Sequence, residues 1–336
     1  MTEEPLLEVE HLSVQYRRPG MFAKPVTVVD DVTFSVRAGE TVGLVGESGA
    51  GKSTVGRAVL GLVPTSGGVI RFEGVDLAGP GGAKARSRLQ VVFQDPYGSL
   101  NPSRRVGATL REPLEVRHGL SSREAGERIT RMLQRVELPA DAQLRLPHGF
   151  SGGQRQRIGI ARALTPRPRL VVCDEATSAL DVLTREKVVG LLAQIQDETG
   201  VAYLFIAHDL PLVAGFADRV VVLYRGRVME SGPARVVGED PRHPYTRALV
   251  LAVPGLDPDE QQRRRSARRE LRATVNASEP PADGCPFAPR CPSAADLCWT
   301  RRPRQLRVED RTVACHLVDP DVDHPESGGP MGGAAE

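Results

Sequence analysis

A loop of nine residues has the composition and spacing that phosphate groups need. It contains three glycines and reads Gly46, Glu47, Ser48, Gly49, Ala50, Gly51, Lys52, Ser53 and Thr54. The apolar run 41–45 before it and the helical spacing of 54–63 after it place the loop between a strand and a helix. The glycines let successive backbone N–H groups turn toward phosphate oxygens, Lys52 can reach the β- and γ-phosphates, and the Ser53 hydroxyl suits a Mg²⁺ ligand. We therefore expect this loop to bind a nucleotide.

Two adjacent carboxylates, Asp174 and Glu175, end the apolar run 170–173. Ligands of open parallel sheets bind at the carboxyl ends of strands, so both acids are expected beside the glycine loop. Asp174 suits the Mg²⁺ shell, and Glu175 is placed to polarise an attacking water. Taken alone, the pair could equally be a solvated turn.

A second stretch predicts another anion site at a helix N-terminus. It consists of Ser151, Gly152, Gly153 and Gln154, followed by a helical pattern over 158–164. Ser151 is a candidate N-cap, and the glycines expose backbone N–H groups. An ordinary capped helix with a solvated arginine face is the alternative, and it would be favoured if the stretch stood alone.

Apolar runs of strand length alternate with helical patterns along the chain. Strands are predicted over 6–16, 26–36, 41–45, 67–72, 89–93, 170–173, 201–207 and 220–223. Helices are predicted over 54–63, 122–138, 185–199 and 210–216. This alternation predicts an α/β fold with a parallel core sheet. The polar helical stretch at about 97–152 interrupts it and is expected to form an inserted subdomain.

Composition restricts the class of protein further. The 336 residues allow about two domains. A net charge of +2 gives no global field for nucleic acid or a membrane surface, and no run of 18 apolar residues could cross a bilayer. The start, residues 1–5, lacks the apolar core of a signal peptide, so a cytosolic site of action is expected.

Three further motifs make the set similar to the ATPase subunits of ATP-binding cassette (ABC) transporters. Gln94 matches the Q-loop, the run 178–181 matches the D-loop, and His208 matches the switch histidine. The stretch 151–154 resembles the signature motif. The resemblance spans about residues 6–250 and implies a P-loop NTPase fold: a parallel core sheet, an antiparallel β subdomain and the inserted helical subdomain.

The resemblance also implies a mechanism. Two cassettes would pack head to tail, with ATP and Mg²⁺ between the glycine loop of one chain and the stretch 151–154 of the other. The implied roles are Glu175 as base, His208 as γ-phosphate contact, Gln94 as metal and water sensor, Asp174 and Ser53 as Mg²⁺ ligands, and Asp181 at the dimer interface. Tyr16 would stack on adenine, although a plain strand-end aromatic is the alternative. Ala176 stands where the family has proline, but no catalytic position is lost.

Two short motifs narrow the resemblance to importers of dipeptides, oligopeptides or nickel. They lie at 97–102 and 243–246, and the loop 17–25 resembles that of the second of two paired ATPase subunits. The resemblance implies a second ATPase chain, identical or different, two permease subunits and, indirectly, a solute-binding protein. It places the chain peripherally at the cytoplasmic face of the cell membrane, with no nucleic acid as partner.

Four of the five cysteines fall in one C-terminal segment, at Cys285, Cys291, Cys298 and Cys315. In a reducing compartment they are expected to be metal ligands rather than disulfides. The spacing lacks the paired C-x-x-C of common zinc sites, and prolines follow two of the four, which is compatible with a [4Fe–4S] cluster. Zinc and metal-free thiols remain alternatives. The segment is similar to the C-terminal extension of peptide-importer ATPases, which implies the cluster.

The domain boundaries follow from these patterns. We expect an ABC ATPase domain over 6–256, a Cys-rich extension over 257–318 and a disordered tail over 319–336. The arginine run 263–272 could touch anionic lipid, but a solvated linker is the simpler interpretation. The run 271–276 departs from the family's sequence, so the path of this linker stays open.

The main rival is an ABC ATPase that acts on nucleic acid or ribosomes. A repair protein of this class would carry a coiled-coil or zinc-module insertion, and a translation factor would carry two cassettes; the sequence has neither pattern. A third interpretation is the ATPase of an ABC exporter. The importer-type motifs at 97–102 and 243–246 and the cysteine-rich C-terminal segment argue against it.

Overall fold

The computed structural model describes residues 4–17, 25–95, 98, 100–177, 180–252, 262, 279 and 281–322. The chain divides into two compact units, residues 1–240 and 241–336. The first unit carries the glycine loop, and the second carries the four clustered cysteines.

The strands of the first unit form two sheets. They are β1 Leu7–Tyr16, β2 Val26–Val36, β3 Thr41–Val45, β4 Gly67–Phe72, β5 Val75–Asp76, β6 Leu89–Val92, β7 Leu170–Asp174, β8 Ala202–Ala207, β9 Arg219–Tyr224 and β10 Arg227–Pro233. The smaller sheet is antiparallel, with the order β2-β1-β4-β5. The larger sheet has the order β10-β9-β3-β8-β7-β6, in which only the β9–β10 pair is antiparallel.

The central strands β3 and β8 of the larger sheet are almost wholly apolar because both faces of the sheet are covered there. Every residue of β3 and of β8 is buried. The parallel arrangement brings the carboxyl ends of β3, β6, β7 and β8 to one edge of the sheet. The functional residues follow these ends.

The helices of the first unit are α1 Lys52–Val59, α2 Gly82–Arg86, α3 Val106–His118, α4 Ser122–Arg135, α5 Gly152–Leu164, α6 Val182–Thr199, α7 Leu210–Ala214 and α8 Ala234–Glu239. Two 3₁₀ turns, Ala140–Leu144 and Pro147–Gly149, join α4 to α5. Helix α4 is amphipathic and opens with a capping box between Ser121 and Glu124. The predicted parallel core sheet, antiparallel sheet and inserted helices are confirmed.

The second unit is small and contains little regular structure. Its elements are α9 Pro244–Ala252, α10 Asp296–Thr300, β11 Leu306–Val308 and β12 Arg311–Val313, with 3₁₀ turns at Ala288–Arg290 and His316–Val318. Strands β11 and β12 form an antiparallel hairpin. The buried rings of Tyr245 and Phe287 pack with their centroids 5.4 Å apart.

Several predicted boundaries need correction. The first helix ends at Val59 rather than 63, because Gly61 adopts a left-handed φ of 71°. The helix predicted from 185 begins at Val182, because Asp181 caps it. Strand β6 stops at Val92, and Phe93 is 40% exposed. Strands β5, β10, β11 and β12 and helices α2, α8, α9 and α10 were not predicted.

Candidate nucleotide site and cysteine pocket

The glycine loop runs from the end of β3 into α1, as the motif requires. Gly49 and Gly51 have φ values of 80° and 99°, which favour glycine. At Gly46 the limit is space, since a Cβ there would lie 2.2 Å from the Leu223 carbonyl oxygen. The glycines at 46, 49 and 51 therefore allow the tight turn by which the loop enters α1.

Lys52 is folded back over this loop. Its Nζ donates to the carbonyl oxygens of Gly46 at 2.8 Å and Glu47 at 3.0 Å, and lies 3.8 Å from Glu175 Oε1. The side chain is 3% exposed. Burial lowers the pKa of Lys52, while the carboxylates of Glu175, Asp174 and Glu47 oppose that shift. These acids favour the charged ammonium, the form that attracts phosphate.

The carboxylates that follow β7 lie beside the loop. Ser53 Oγ donates to Asp174 Oδ1 at 2.7 Å. Gln94 Nε2, just beyond β6, donates to Glu175 Oε2 at 2.9 Å. The structure thus joins residues from three neighbouring segments into one polar cluster. A hydroxyl next to a carboxylate suits Mg²⁺, and a second carboxylate one residue away can accept a proton from water.

Glu175 is held in an unusual backbone conformation. Its φ is 47°, a region that residues other than glycine rarely occupy, and its N–H donates to the Ile206 carbonyl oxygen at 3.0 Å. That bond ties the turn after β7 to β8. Strained backbone is common at functional sites because it fixes a side chain in one direction.

The turn between β9 and β10 supports the glycine loop, and sequence reasoning missed it. Gly226 N–H donates to the Ala50 carbonyl oxygen at 2.8 Å, and its own carbonyl oxygen accepts from Asp30 N–H at 2.9 Å. Gly226 has a φ of 78°, and an added Cβ would lie 2.3 Å from the Val28 carbonyl oxygen. The available signal was the pair Arg225-Gly226 between two apolar runs, which is typical of a hairpin.

The stretch 151–154 forms the start of α5 as predicted. Ser151 Oγ accepts from Gln154 N–H at 3.3 Å, and Ser151 N–H donates to Gln154 Oε1 at 3.0 Å. Ser151, Gly152 and Gln154 are exposed, and nothing lies within 4 Å of a Cβ built at Gly152. Ser151 and Gln154 bond to each other in a capping box, which leaves their outward face available.

The remaining predicted residues lie at the ends of strands or helices. His208 is exposed just after β8, and Tyr16 is 37% exposed at the end of β1. Asp181 caps α6 by accepting from Thr184 N–H at 3.0 Å and from Thr184 Oγ1 at 2.7 Å. The hydrogen bonds from Thr184 lower the pKa of Asp181.

Several predictions concern residues outside the described part of the chain. These are the D-loop residues 178 and 179, residues 97 and 99 of the importer motif, 18–24 of the long loop, the arginine and linker runs at 263–276, and the tail beyond 322.

The second unit gathers all four clustered cysteines around one small pocket. Cys285, Cys291, Cys298 and Cys315 line it and form no disulfides. Cys285 N–H donates to the Cys298 carbonyl oxygen at 2.8 Å. Burial raises the pKa of Cys285 and Cys291 to about 11 and that of Cys315 to about 12. Burial therefore favours the protonated form of these three thiols.

Four thiols are chemically suited to bind a metal, but the pocket that they line is too small for an iron–sulfur cluster. The free volume between the thiols is about 10 Å³, roughly what one water molecule needs. Within the described residues, no group of three or more His, Cys, Asp or Glu side chains is arranged to hold a metal ion. The pocket as it stands does not fit an iron–sulfur cluster.

Comparison with known proteins identifies the family. Residues 29–178 match the ABC transporter family. A Brucella abortus protein described as a peptide import ATP-binding protein is 46% identical over 298 residues, covering 86% of each chain. The chain belongs to the ABC transporter ATP-binding family. Residues 229–298 match the oligopeptide/dipeptide transporter C-terminal region. A Brucella ovis protein with the same description is 46% identical, and the aligned region covers 91% of this ABC protein and 95% of the Brucella ovis protein.

Solved structures agree with this assignment. The cbiO1 protein of Clostridium perfringens, part of the ABC transporter complex cbiONQ, has a TM-score of 0.61 and 26% identity, covering 71% of this chain and 97% of its own. The ATP-binding cassette MJ0796, a dimer in a post-hydrolysis state with ADP and Pi, has a TM-score of 0.61 and 27% identity over 68% and 99% of the two chains. The protein is an ATP hydrolase of the ABC class. None of its described helices is long and apolar enough to cross a bilayer.

Proposed function

We propose that this ABC ATPase powers an importer of dipeptides or oligopeptides. The observation that carries the proposal is the polar cluster formed by Lys52, Ser53, Asp174, Glu175 and Gln94, because it joins a phosphate loop to a possible metal ligand and base. The match of 229–298 to the oligopeptide/dipeptide transporter C-terminal region and the descriptions of the Brucella relatives support the substrate class.

Each residue of the site has its own role in binding or hydrolysing ATP. The loop 46–54 and Lys52 hold the phosphates of ATP, Ser53, Asp174 and Gln94 hold Mg²⁺, and Tyr16 stacks on adenine. Glu175 takes the proton from the attacking water, and His208 contacts the γ-phosphate. Phosphoryl transfer needs mainly this positioning and the stabilisation of charge.

The ATP site is completed by a second ATPase chain. Residues 151–154 of the partner chain supply the Ser151 hydroxyl and backbone N–H groups at a helix N-terminus, and Asp181 lies in the same interface. The exposure of Ser151 and Gly152 supports this arrangement, because no described side chain lies within 4 Å of a Cβ built at Gly152.

Two matched serines test the shared site. Ser151 and Ser121 both cap a helix through a capping box, so Ser151→Ala and Ser121→Ala should each cost about 1 kcal/mol of stability. Only Ser151→Ala should lower ATP turnover, by about ten-fold for one lost hydrogen bond to a charged phosphate, with the single-chain nucleotide affinity unchanged. Equal turnover in the two variants would remove residues 151–154 from the ATP site.

Transport itself is tested by reconstitution. The chain, its partner ATPase and two permease subunits are placed in proteoliposomes with the solute-binding protein outside, and uptake of labelled di- to pentapeptides is measured. We expect uptake to need ATP on the side that holds this chain and to stop in Glu175→Gln. ATP-dependent uptake of nickel without peptide uptake would overturn the substrate class.

We further propose that the chain lies peripherally at the cytoplasmic face of the membrane.

We also propose the domain boundaries 6–256 and 257–318, with a metal centre in the second. The gathering of four thiols supports a metal, and the [4Fe–4S] cluster is preferred over zinc because the cysteine spacing lacks C-x-x-C pairs. The pocket must widen to take the cluster. Protein purified without oxygen should be brown and contain iron and sulfide; colourless protein with stoichiometric zinc would reverse the choice.

A further inference from the structure

The first unit contains a large cavity that its ATPase chemistry does not use. It has a volume of about 800 Å³ and lies between α4, the loop 165–169 after α5, and the C-terminal end of α6. Five arginines and one glutamate line it: Arg128, Arg131, Arg135, Arg167, Arg169 and Glu198. We call this cavity the arginine groove. Its volume is typical of sites for small organic ligands.

Only two of the five arginines have a carboxylate partner in the described part of the chain. Arg135 Nη2 lies 3.0 Å from Glu198 Oε2, and Arg169 Nε lies 3.4 Å from Glu73 Oε1. The side chains of Arg128, Arg131 and Arg167 have no ion pair or hydrogen bond with any described residue. The groove therefore holds three positive charges that the described residues do not balance.

Arg128 is in an unfavourable environment because it lacks a hydrogen-bond partner among the described residues at one nitrogen and lies near two other positive charges. Its Nη2 atom is buried without a hydrogen-bond partner. Burial lowers the pKa of Arg128, and the neighbouring charges of Arg167 and Arg131 lower it further. The guanidinium of Arg128 is half-buried, while Arg131 and Arg167 are exposed. A bound anion would offset the partial loss of hydration and the repulsion among the three charges.

Arg167 supplies an independent observation. Its φ is 57°, a left-handed conformation that favours glycine, and it lies between Pro166 and Pro168. An arginine at this position is less favourable for the backbone than glycine. Such strain is typical of positions where the side chain is required for binding.

We propose that the arginine groove binds an organic phosphate. Arg128, Arg131 and Arg167 contact the phosphoryl group, because the planar fork of guanidinium groups matches phosphate oxygens. Met132 and Leu164 contact the apolar body of the ligand. Such a ligand supplies the counter-charge that half-buried Arg128 lacks among the described residues.

The groove is separate from the ATP site. Arg169 directly precedes β7, whereas Asp174 ends it. The strand has five residues, so its ends are roughly 15 Å apart. A ligand in the groove would also touch both α4 of the helical subdomain and α6 of the core, and would hold them together.

Calorimetry with the full chain tests the proposal. The ATP site is first saturated with Mg²⁺ and a non-hydrolysable ATP analogue, and phenyl phosphate, inorganic phosphate and phenol are then titrated. We expect one site per chain for phenyl phosphate, weaker binding of inorganic phosphate and none of phenol. Arg128→Gln and Arg131→Gln should each weaken phenyl phosphate binding by about ten-fold or more. Arg123→Gln is the control, since Arg123 is on the same helix but is exposed and paired with Glu127.

Arg167→Gly separates binding from folding. This variant relieves the left-handed strain, so its melting temperature should equal or exceed that of the wild type while phenyl phosphate binding falls. Co-sedimentation with vesicles containing phosphatidic acid distinguishes the sources: arginine-dependent sedimentation indicates a lipid headgroup, and its absence with phenyl phosphate bound indicates a soluble ligand. The proposal is overturned if the wild type binds no phenyl phosphate, or if Arg128→Gln and Arg123→Gln bind it equally.

Discussion

The glycine loop and the cysteine pocket both gather atoms that bind ligands, but they do so in different ways. The loop uses nine consecutive residues and mostly backbone groups, and its side chains already have partners, as Ser53 has in Asp174. The pocket uses four side chains spread over 31 positions, from Cys285 to Cys315. Burial raises the pKa of Cys285, Cys291 and Cys315.

The difference concerns what each site must do before it binds. Backbone N–H groups, and a lysine whose charged form is favoured by three neighbouring carboxylates, are in place before phosphate binds, so the loop is preorganised. Before a metal can bind, the pocket must widen, and Cys285, Cys291 and Cys315 must lose protons against their raised pKa values. Part of the binding free energy is therefore spent on these changes. We therefore expect sharp functional effects from single changes at the loop and smaller effects on ATP chemistry from changes at the pocket.

The largest effect is expected at Glu175. Glu175→Gln keeps the shape and the hydrogen bond from Gln94 but removes the base, so ATP turnover should fall by about 10²- to 10⁴-fold with ATP affinity retained. Phosphate release under saturating ATP and equilibrium binding of a fluorescent ATP analogue measure the two quantities. Glu127→Gln, on the surface of α4, is the control and should leave both unchanged. Normal turnover in Glu175→Gln would move the base elsewhere.

Lys52 should affect binding rather than the chemical step alone. Lys52→Ala removes the buried ammonium and its contacts to phosphate, each worth about 1.5–3 kcal/mol, so nucleotide affinity should fall by roughly 10- to 100-fold. Lys187→Ala changes an exposed lysine on α6 and is the matched control. Unchanged affinity in Lys52→Ala would contradict the loop as the phosphate site.

Two glycine substitutions distinguish the close packing of Gly226 beneath the glycine loop from the backbone strain of a hairpin turn. Gly226 and Gly74 both end a hairpin turn after a residue of positive φ, with φ values of 78° and 74°. A Cβ at Gly226 would collide with the Val28 carbonyl oxygen, whereas nothing lies within 4 Å of one at Gly74. Gly226→Ala should therefore lose about 2–5 kcal/mol of unfolding free energy, and Gly74→Ala about 1 kcal/mol. Urea denaturation measures both, and equal losses would show that strain alone matters at Gly226.

The sequence predicted the parts of the molecule that depend on local pattern. Strands β3, β7 and β8 are buried on both faces and read as continuous apolar runs, and the glycine loop is one uninterrupted motif. Strand β10 was missed because it mixes polar and apolar residues, and its Glu230 is fully buried in the fold. Local pattern gives no sign of such burial.

Sites built from separate segments were harder to predict. The arginine groove takes Arg128 and Arg131 from α4 and Arg167 from a loop some 35 residues later. On a helical projection Arg128 and Arg131 look like a solvated face, and only the packing of α4 against the core brings them to the same cavity as Arg167. The shape of the cysteine pocket likewise depends on the whole second unit.

The smallest effect on ATP chemistry is expected at the pocket. Cys285→Ser should abolish metal binding at the proposed centre. The ATP turnover of the isolated subunit should still change by less than about two-fold, because none of the described ATP-site residues shares a hydrogen-bond partner with Cys285. Cys173→Ser is the control: Cys173 is buried in β7, where burial raises its pKa to about 12, and it should retain the metal. Metal analysis and phosphate release are measured on the same preparations. A large loss of turnover in Cys285→Ser, with metal retained in Cys173→Ser, would show that the metal centre controls hydrolysis, and the contrast between a preorganised loop and an independent pocket would fail.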